Sequence, residues 1–151
     1  MTPTPTPTPT PAPVVTPTPA PVVTQSPAII SVSGIAPTAT QTIRIDGSGF
    51  GQHAPYTGST SFIELSDLTG GWNAGWHEPG SPYSDTVTLR IASWTDSQIV
   101  VGGLAGDYGA VFDSGGYHHD FNLNPGDQIR IRVWNAQSSS GPAIFLLTVS
   151  G

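Results

Sequence analysis

The sequence predicts an all-β protein, a two-sheet antiparallel sandwich with long loops behind an extended Pro-Thr linker. Three observations carry that prediction. Seven short apolar-rich segments read as strands, several of them alternating apolar and polar residues with a period of two, turn residues recur every 8–15 positions, and no segment has convincing 3.6-residue periodicity. The N-terminal stretch is of another kind. It places proline at alternate positions and contains an octamer repeat, Pro-Thr-Pro-Ala-Pro-Val-Val-Thr, at Pro9–Thr16 and again at Pro17–Thr24. Each proline ring removes a backbone N–H and fixes φ near −65°, so such a stretch cannot form helix or sheet. The reading is a polyproline II or disordered linker over residues 1–26, about 75 Å at full extension, followed by one folded module over 27–151.

Within the module the strands are read in order. Ala28–Val32 is a short apolar run, and Thr42–Asp46 sets Ile43 and Ile45 against Arg44 and Asp46. Ser61–Leu65 is the third. Thr86–Trp94 alternates Val87, Leu89 and Ile91 with Thr86, Thr88 and Arg90, and Gln98–Val101 follows a Thr-Asp-Ser turn. Gln128–Asn135 sets Ile129, Ile131 and Val133 against Arg130, Arg132 and Trp134; Ala143–Val149 is last. Between them, 47–60, 69–85 and 104–127 read as long irregular loops rich in glycine, aromatics and acids. Loops of that length in a compact domain are usually functional or disordered, and aromatic content favours function.

Composition narrows the class. There is no cysteine, so disulfides and thiolate metal sites are excluded. There is no lysine either; Arg44, Arg90, Arg130 and Arg132 face ten acids, for a net charge of −6. A nucleic-acid binder needs a basic footprint, which argues against that partner. No apolar run approaches the roughly 20 residues of a membrane span, so no membrane partner is expected. Met1 leads straight into Thr-Pro repeats without a basic region and apolar core, so the expectation is a C-terminal piece of an exported parent. The neutral, hydroxyl-rich surface fits a secreted, extracellular module, expected to be a monomer.

Pro27-Ala-Ile-Ile-Ser-Val-Ser and Ile43-Arg-Ile-Asp-Gly-Ser-Gly-Phe-Gly51 resemble the opening of IPT/TIG immunoglobulin-like domains. Ser93-Trp-Thr-Asp-Ser-Gln-Ile99 looks like that family's later Ser-Trp-Ser-Asp-Thr-Gln-Ile segment, and Pro125-Gly-Asp-Gln-Ile-Arg-Ile-Arg-Val133 like its penultimate strand. The resemblance covers most strands and none of the long loops. It implies an immunoglobulin-like sandwich. With the Pro-Thr linker, it implies an accessory domain of a secreted bacterial polysaccharide-degrading enzyme, whose catalytic domain would lie upstream. On the residues themselves, Gly47, Gly49 and Gly51 permit positive φ at a strand end, so that Phe50 can fold into the core. The same glycines are not a phosphate loop, because no Lys-Ser/Thr ending or following helix accompanies them.

The candidate site residues are mainly aromatic. Trp72 and Trp76 sit in Gly-Gly-Trp-Asn-Ala-Gly-Trp-His, where few neighbours are expected to cover them. Indoles suit sugars, whose C–H faces are apolar and whose rims are hydroxyls, and Asn73, His77, Glu78 and Asp85 are nearby polar partners. Folding of either indole back as a lid over the sandwich is the alternative. Trp134 points away from the Ile/Val face and either binds ligand or stacks on a neighbouring guanidinium. Tyr83, with Tyr56, Tyr108 and Tyr117, would extend the surface, whereas Trp94 reads as a core anchor.

Metal and catalysis are weaker readings. Asp113 and Asp120 flank Ser-Gly-Gly-Tyr-His-His and are candidates for a structural Ca²⁺, with a plain solvated loop as the default and no other cofactor implied. Adjacent His118 and His119 diverge in an extended segment and do not suit one zinc ion. No carboxyl pair or nucleophile elbow is implied by spacing, so an enzyme is not expected. The functional expectation is a non-catalytic module that binds plant-type polysaccharide (cellulose, β-glucan or xylan). The alternatives are an immunoglobulin-like spacer that binds no glycan and a cell-surface adhesion module.

Overall fold

A computed structural model of the chain describes Met1 and residues 25–76, 87–112 and 115–151; the Pro-Thr repeats at 2–24 lie outside them. Among the described residues there are eleven strands and no helix: β1 (Ala28–Val32), β2 (Ile43–Ser48), β3 (Tyr56–Gly58), β4 (Ile63–Asp67), β5 (Trp72–Ala74), β6 (Val87–Trp94), β7 (Gln98–Gly106), β8 (Gly109–Phe112), β9 (His118–Phe121), β10 (Gln128–Val133) and β11 (Ala143–Thr148). One sheet runs β1-β2-β7-β6-β5-β4-β10-β11, with β3 paired to β6; β8 and β9 form a separate hairpin. The pairing is antiparallel, apart from the β5–β6 junction at Ala74 and Val87 and a bridge between Thr60 and Trp76. β1 also lies against β11, so the sheet curls back on itself in a sandwich-like, all-β fold.

The core follows from the alternation. Ile43, Ile45, Leu89, Ile91, Ile99 and Val101 project inward from β2, β6 and β7, and meet Ile63, Leu65, Ile129, Ile131 and Val133 from β4 and β10. All are buried, and each such side chain contributes about 1.5–3 kcal/mol by leaving water. Every strand expected from periodicity is present within a few residues of its predicted bounds. The difference lies in the supposed loops, which contain β3, β5, β8, β9 and the last residues of β7. Three- and four-residue strands are too short to express a period; partners elsewhere in the sheet define β3 and β5, and β8 and β9 define each other.

Three turns anchor the module. Phe50 is wholly buried, and Trp94 Nε1 donates to its carbonyl at 3.1 Å, which makes Trp94 the core anchor its position suggested. Gly49 and Gly51 take φ 71° as expected, but Gly47 does not; a Cβ there would collide with the Ala28 carbonyl and the Phe50 ring. Gly47 is thus required for close approach of β1, not for positive φ. Asn135, also buried, donates to Gly49 O at 2.8 Å and accepts from the Gln137 and Ser138 amides at 2.9 Å each. It thereby ties the β10–β11 turn to the β2 turn. The incoming chain is held at the same corner: Ser140 Oγ donates to Gln25 O at 3.3 Å, and a Cβ on Gly141 would stand 2.9 Å from Pro27 Cγ and 3.2 Å from Trp134 Cα.

The β4–β5 turn is organised by Asp67, whose Oδ1 accepts the amides of Thr69 (2.9 Å) and Gly70 (2.7 Å). Its Oδ2 is buried without a hydrogen-bond partner. Burial pushes the Asp67 carboxyl above its ordinary 3.8; the neighbouring Asp127 charge adds to the rise, and the amides of Gly70 and Thr69 oppose it.

Candidate ligand-binding face

The strands β5, β4, β10 and β11 lie side by side, and their register sets out the outer face residue by residue. Arg130 stands opposite Ser66 on β4 and Leu146 on β11; Arg132 stands opposite Glu64 and Ile144. Ser66 in turn is opposite Asn73 on β5. Because side chains alternate, these residues share the face opposite the core. Trp134 continues it past the end of β10, its amide donating to Phe62 O at 2.8 Å.

Trp76 joins this face through a break in alternation. Trp72 and Ala74 are buried and Asn73 is exposed, so a continuing strand would point residue 76 inward. Gly75 takes φ 77° instead, and a Cβ there would collide with Leu89. The chain turns, and the Trp76 indole stacks on Trp134 with centroids 4.4 Å apart and planes at 30°. The Arg132 guanidinium carbon lies 5.1 Å from the Trp134 ring and 5.6 Å from Trp76. Both distances lie within the range in which a ring attracts a cation.

A carboxylate holds the guanidiniums in place. Glu64 points to the outer face as alternation requires, yet it is only 2% exposed. Its Oε2 accepts from Arg132 Nε at 2.8 Å and from the Arg132 terminal nitrogen, while Oε1 accepts from Ser66 and, at 3.5 Å, from Arg130. A carboxylate that deep is sustained by paired, hydrogen-bonded charge. Ile144 (58% exposed) and Leu146 (63%) flank the arginines on the open side.

The predicted site residues therefore part company. Trp76, Trp134 and Asn73 come together on one face. Trp72 does not: it is 8% exposed, with Tyr108 and Phe121 edge-on at 6.0 and 6.2 Å, and is a core residue rather than a platform. The cause is the tight turn after Asp67, which pairs Trp72 with Asp67 and makes β5 a strand where a loop was expected. The signal was present as Asp-Leu-Thr-Gly-Gly, an Asx-type turn between apolar residues. His77, Glu78, Tyr83 and Asp85 lie outside the described residues, as does Asp113. Asp120 is exposed and accepts from Asn122; among the described residues no three His, Asp or Glu side chains converge on a metal position. The Glu64–Arg132–Arg130 cluster was not foreseen, because cross-strand partners cannot be read from alternation alone.

The chain matches no family model, no curated protein and no solved structure. What the face can do must come from its chemistry. Paired indoles, two guanidiniums, an exposed amide and two aliphatic side chains can cover apolar C–H surface and hydrogen-bond polar substituents. Glu64, the carboxylate of the cluster, is committed to the two arginines and a serine.

Proposed function

We propose that the module is a non-catalytic carbohydrate-binding accessory domain of a secreted polysaccharide-degrading enzyme, with its ligand on the β4–β10–β11 face. One observation carries the reading: the half-buried Trp76–Trp134 pair, flanked by Arg132 and set on the outer face beside exposed Asn73, Ile144 and Leu146. Aromatic and aliphatic surface of this kind suits the C–H face of a plant-type polysaccharide, and the amide and guanidinium donors suit its hydroxyls. The Pro-Thr repeats support the role from the sequence side. A spacer raises the local concentration of an attached catalytic domain on the polymer that the module holds. The resemblance to IPT/TIG domains fits a domain appended to secreted bacterial enzymes.

A second reading has a specific observation behind it. Trp76 and Trp134 cover one another, and Glu64 satisfies Arg132, which is the arrangement of a structural spacer that binds nothing. Retention of the chain on insoluble cellulose, xylan and β-glucan separates the two. Wild type is expected in the pellet, Trp134→Ala in the supernatant, and Trp72→Phe in the pellet. Wild type that remains in the supernatant with every polymer sinks the binding reading and leaves the spacer.

A further inference from the structure

We propose that Arg130 is the anchor for a carboxylate on the bound polymer, so that the face selects a uronic-acid-bearing polysaccharide over its neutral counterpart. The inference rests on the carbohydrate-binding reading and names the class of ligand within it. Its first support is charge. Two of the chain's four cations stand next to one another on this face, in a protein whose net charge is −6, and among the described residues the carboxylate that faces them is that of Glu64. Among those residues the cluster keeps an excess of one positive charge, and an anionic ligand complements it.

The second support is the unequal sharing of Glu64. Arg132 commits two nitrogens to Glu64 Oε2 and is also held against the indoles. Arg130 commits a single terminal nitrogen, to Glu64 Oε1 at 3.5 Å and Ser66 Oγ at 3.3 Å, both at the long limit of a hydrogen bond. A guanidinium carries five N–H donors in a planar fork that fits a carboxylate with two parallel bonds. The Arg130 side chain is 35% exposed, against 28% for Arg132; its Nε is buried without a hydrogen-bond partner, so a ligand meets the terminal nitrogens of the fork.

The third support is spacing. Arg130 on β10 and Trp134 just past its end project from the same face four residues apart, about 13 Å at the rise of a strand. One ligand that touches both the fork and the indoles is therefore an oligomer, its charged substituent at Arg130 and its sugar face toward Trp134. Asn73, one row across from Ser66, adds a donor and acceptor for hydroxyls beside the charged substituent.

Affinity electrophoresis of the full chain through glucuronoxylan, and through the same polymer with its carboxyls reduced to alcohols, isolates the charge from the backbone sugar. Wild type is expected to bind the acidic polymer about tenfold more tightly than the reduced one, with the difference collapsing as salt is raised. Arg130→Gln is expected to erase the difference between the two polymers. Equal retardation of wild type by the two polymers overturns the uronic-acid inference and leaves carbohydrate binding standing. Retardation by neither polymer overturns both. Undiminished discrimination by Arg130→Gln removes Arg130 as the anchor.

Discussion

Trp72 and Trp76 stand four residues apart in one glycine-rich segment, and the fold gives them opposite fates. Trp72 is packed under Tyr108 and Phe121 in the core, whereas Trp76 lies on the outer face against Trp134. Both follow a glycine, and only Trp72 has the Asp-Leu-Thr-Gly-Gly turn just before it. The difference comes from two backbone events: the Asp67 turn that starts β5 and commits Trp72 inward, and the positive φ of Gly75 that ends the alternation. A tryptophan between glycines is thus no sign of exposure by itself. What matters is whether a strand partner is available for the residues around it.

The largest test of that contrast is a pair of truncations. Trp72→Ala should cost about 3–5 kcal/mol in denaturant unfolding, as loss of a buried aromatic does, while Trp134→Ala should cost well under half as much. Equal costs would break the distinction between core and face. Next in size is Glu64→Gln, which leaves two guanidiniums without their counter-charge and should cost about 2–3 kcal/mol, reduced from the fully buried case because both arginines reach solvent. The same change raises the positive excess on the face. It should therefore tighten binding to glucuronoxylan while the fold weakens, a divergence that a purely structural cluster does not produce.

Gly75→Ala sharpens the comparison at its hinge. A Cβ at φ 77° is strained and would meet Leu89, so a loss of about 2 kcal/mol is expected, together with loss of the exciton signal of the stacked indoles in far-UV circular dichroism. If the couplet survives unchanged, Trp76 reaches Trp134 without help from the Gly75 turn.

The smallest effect concerns the Asp67 side of the same turn. A carboxyl held above its ordinary 3.8 contributes stability that is complete below that pH and is lost as pH rises through the folded value. Asp127→Asn removes a neighbouring charge that raises it. The stability difference between Asp127→Asn and wild type should consequently shift in favour of the variant as pH climbs from about 4 toward neutrality. Thermal melts across that range check the sign; a difference independent of pH would show that the two carboxyls do not sense one another.

The legible part of this molecule is the part with a period. β2, β6 and β10 could be read because five or more residues express alternation, and the outward direction of Arg130, Arg132 and Trp134 followed from it; β1 and β11 were readable as apolar runs. The three residues of β5 could not, since Trp72 and Ala74 give one repeat only. Glu64 illustrates a further limit. Its direction was readable, but its depth was not, because depth depends on Arg130 and Arg132, which lie about 65 positions away in sequence and become its neighbours only through the β4–β10 register. Site residues set by cross-strand partners escape a local reading for this reason.

The corner where Gln25 and Pro27 meet Ser140 and Gly141 bears on any cargo carried by the N-terminal side. Trp134 belongs to that corner, its Cα beside the point where Pro27 packs. The place of attachment and the indole pair are thus neighbours rather than opposite poles of the domain. On the proposed carbohydrate-binding reading, a catalytic unit joined there would be tethered at the rim of the ligand face, and its reach would be measured along the polymer from the docked module.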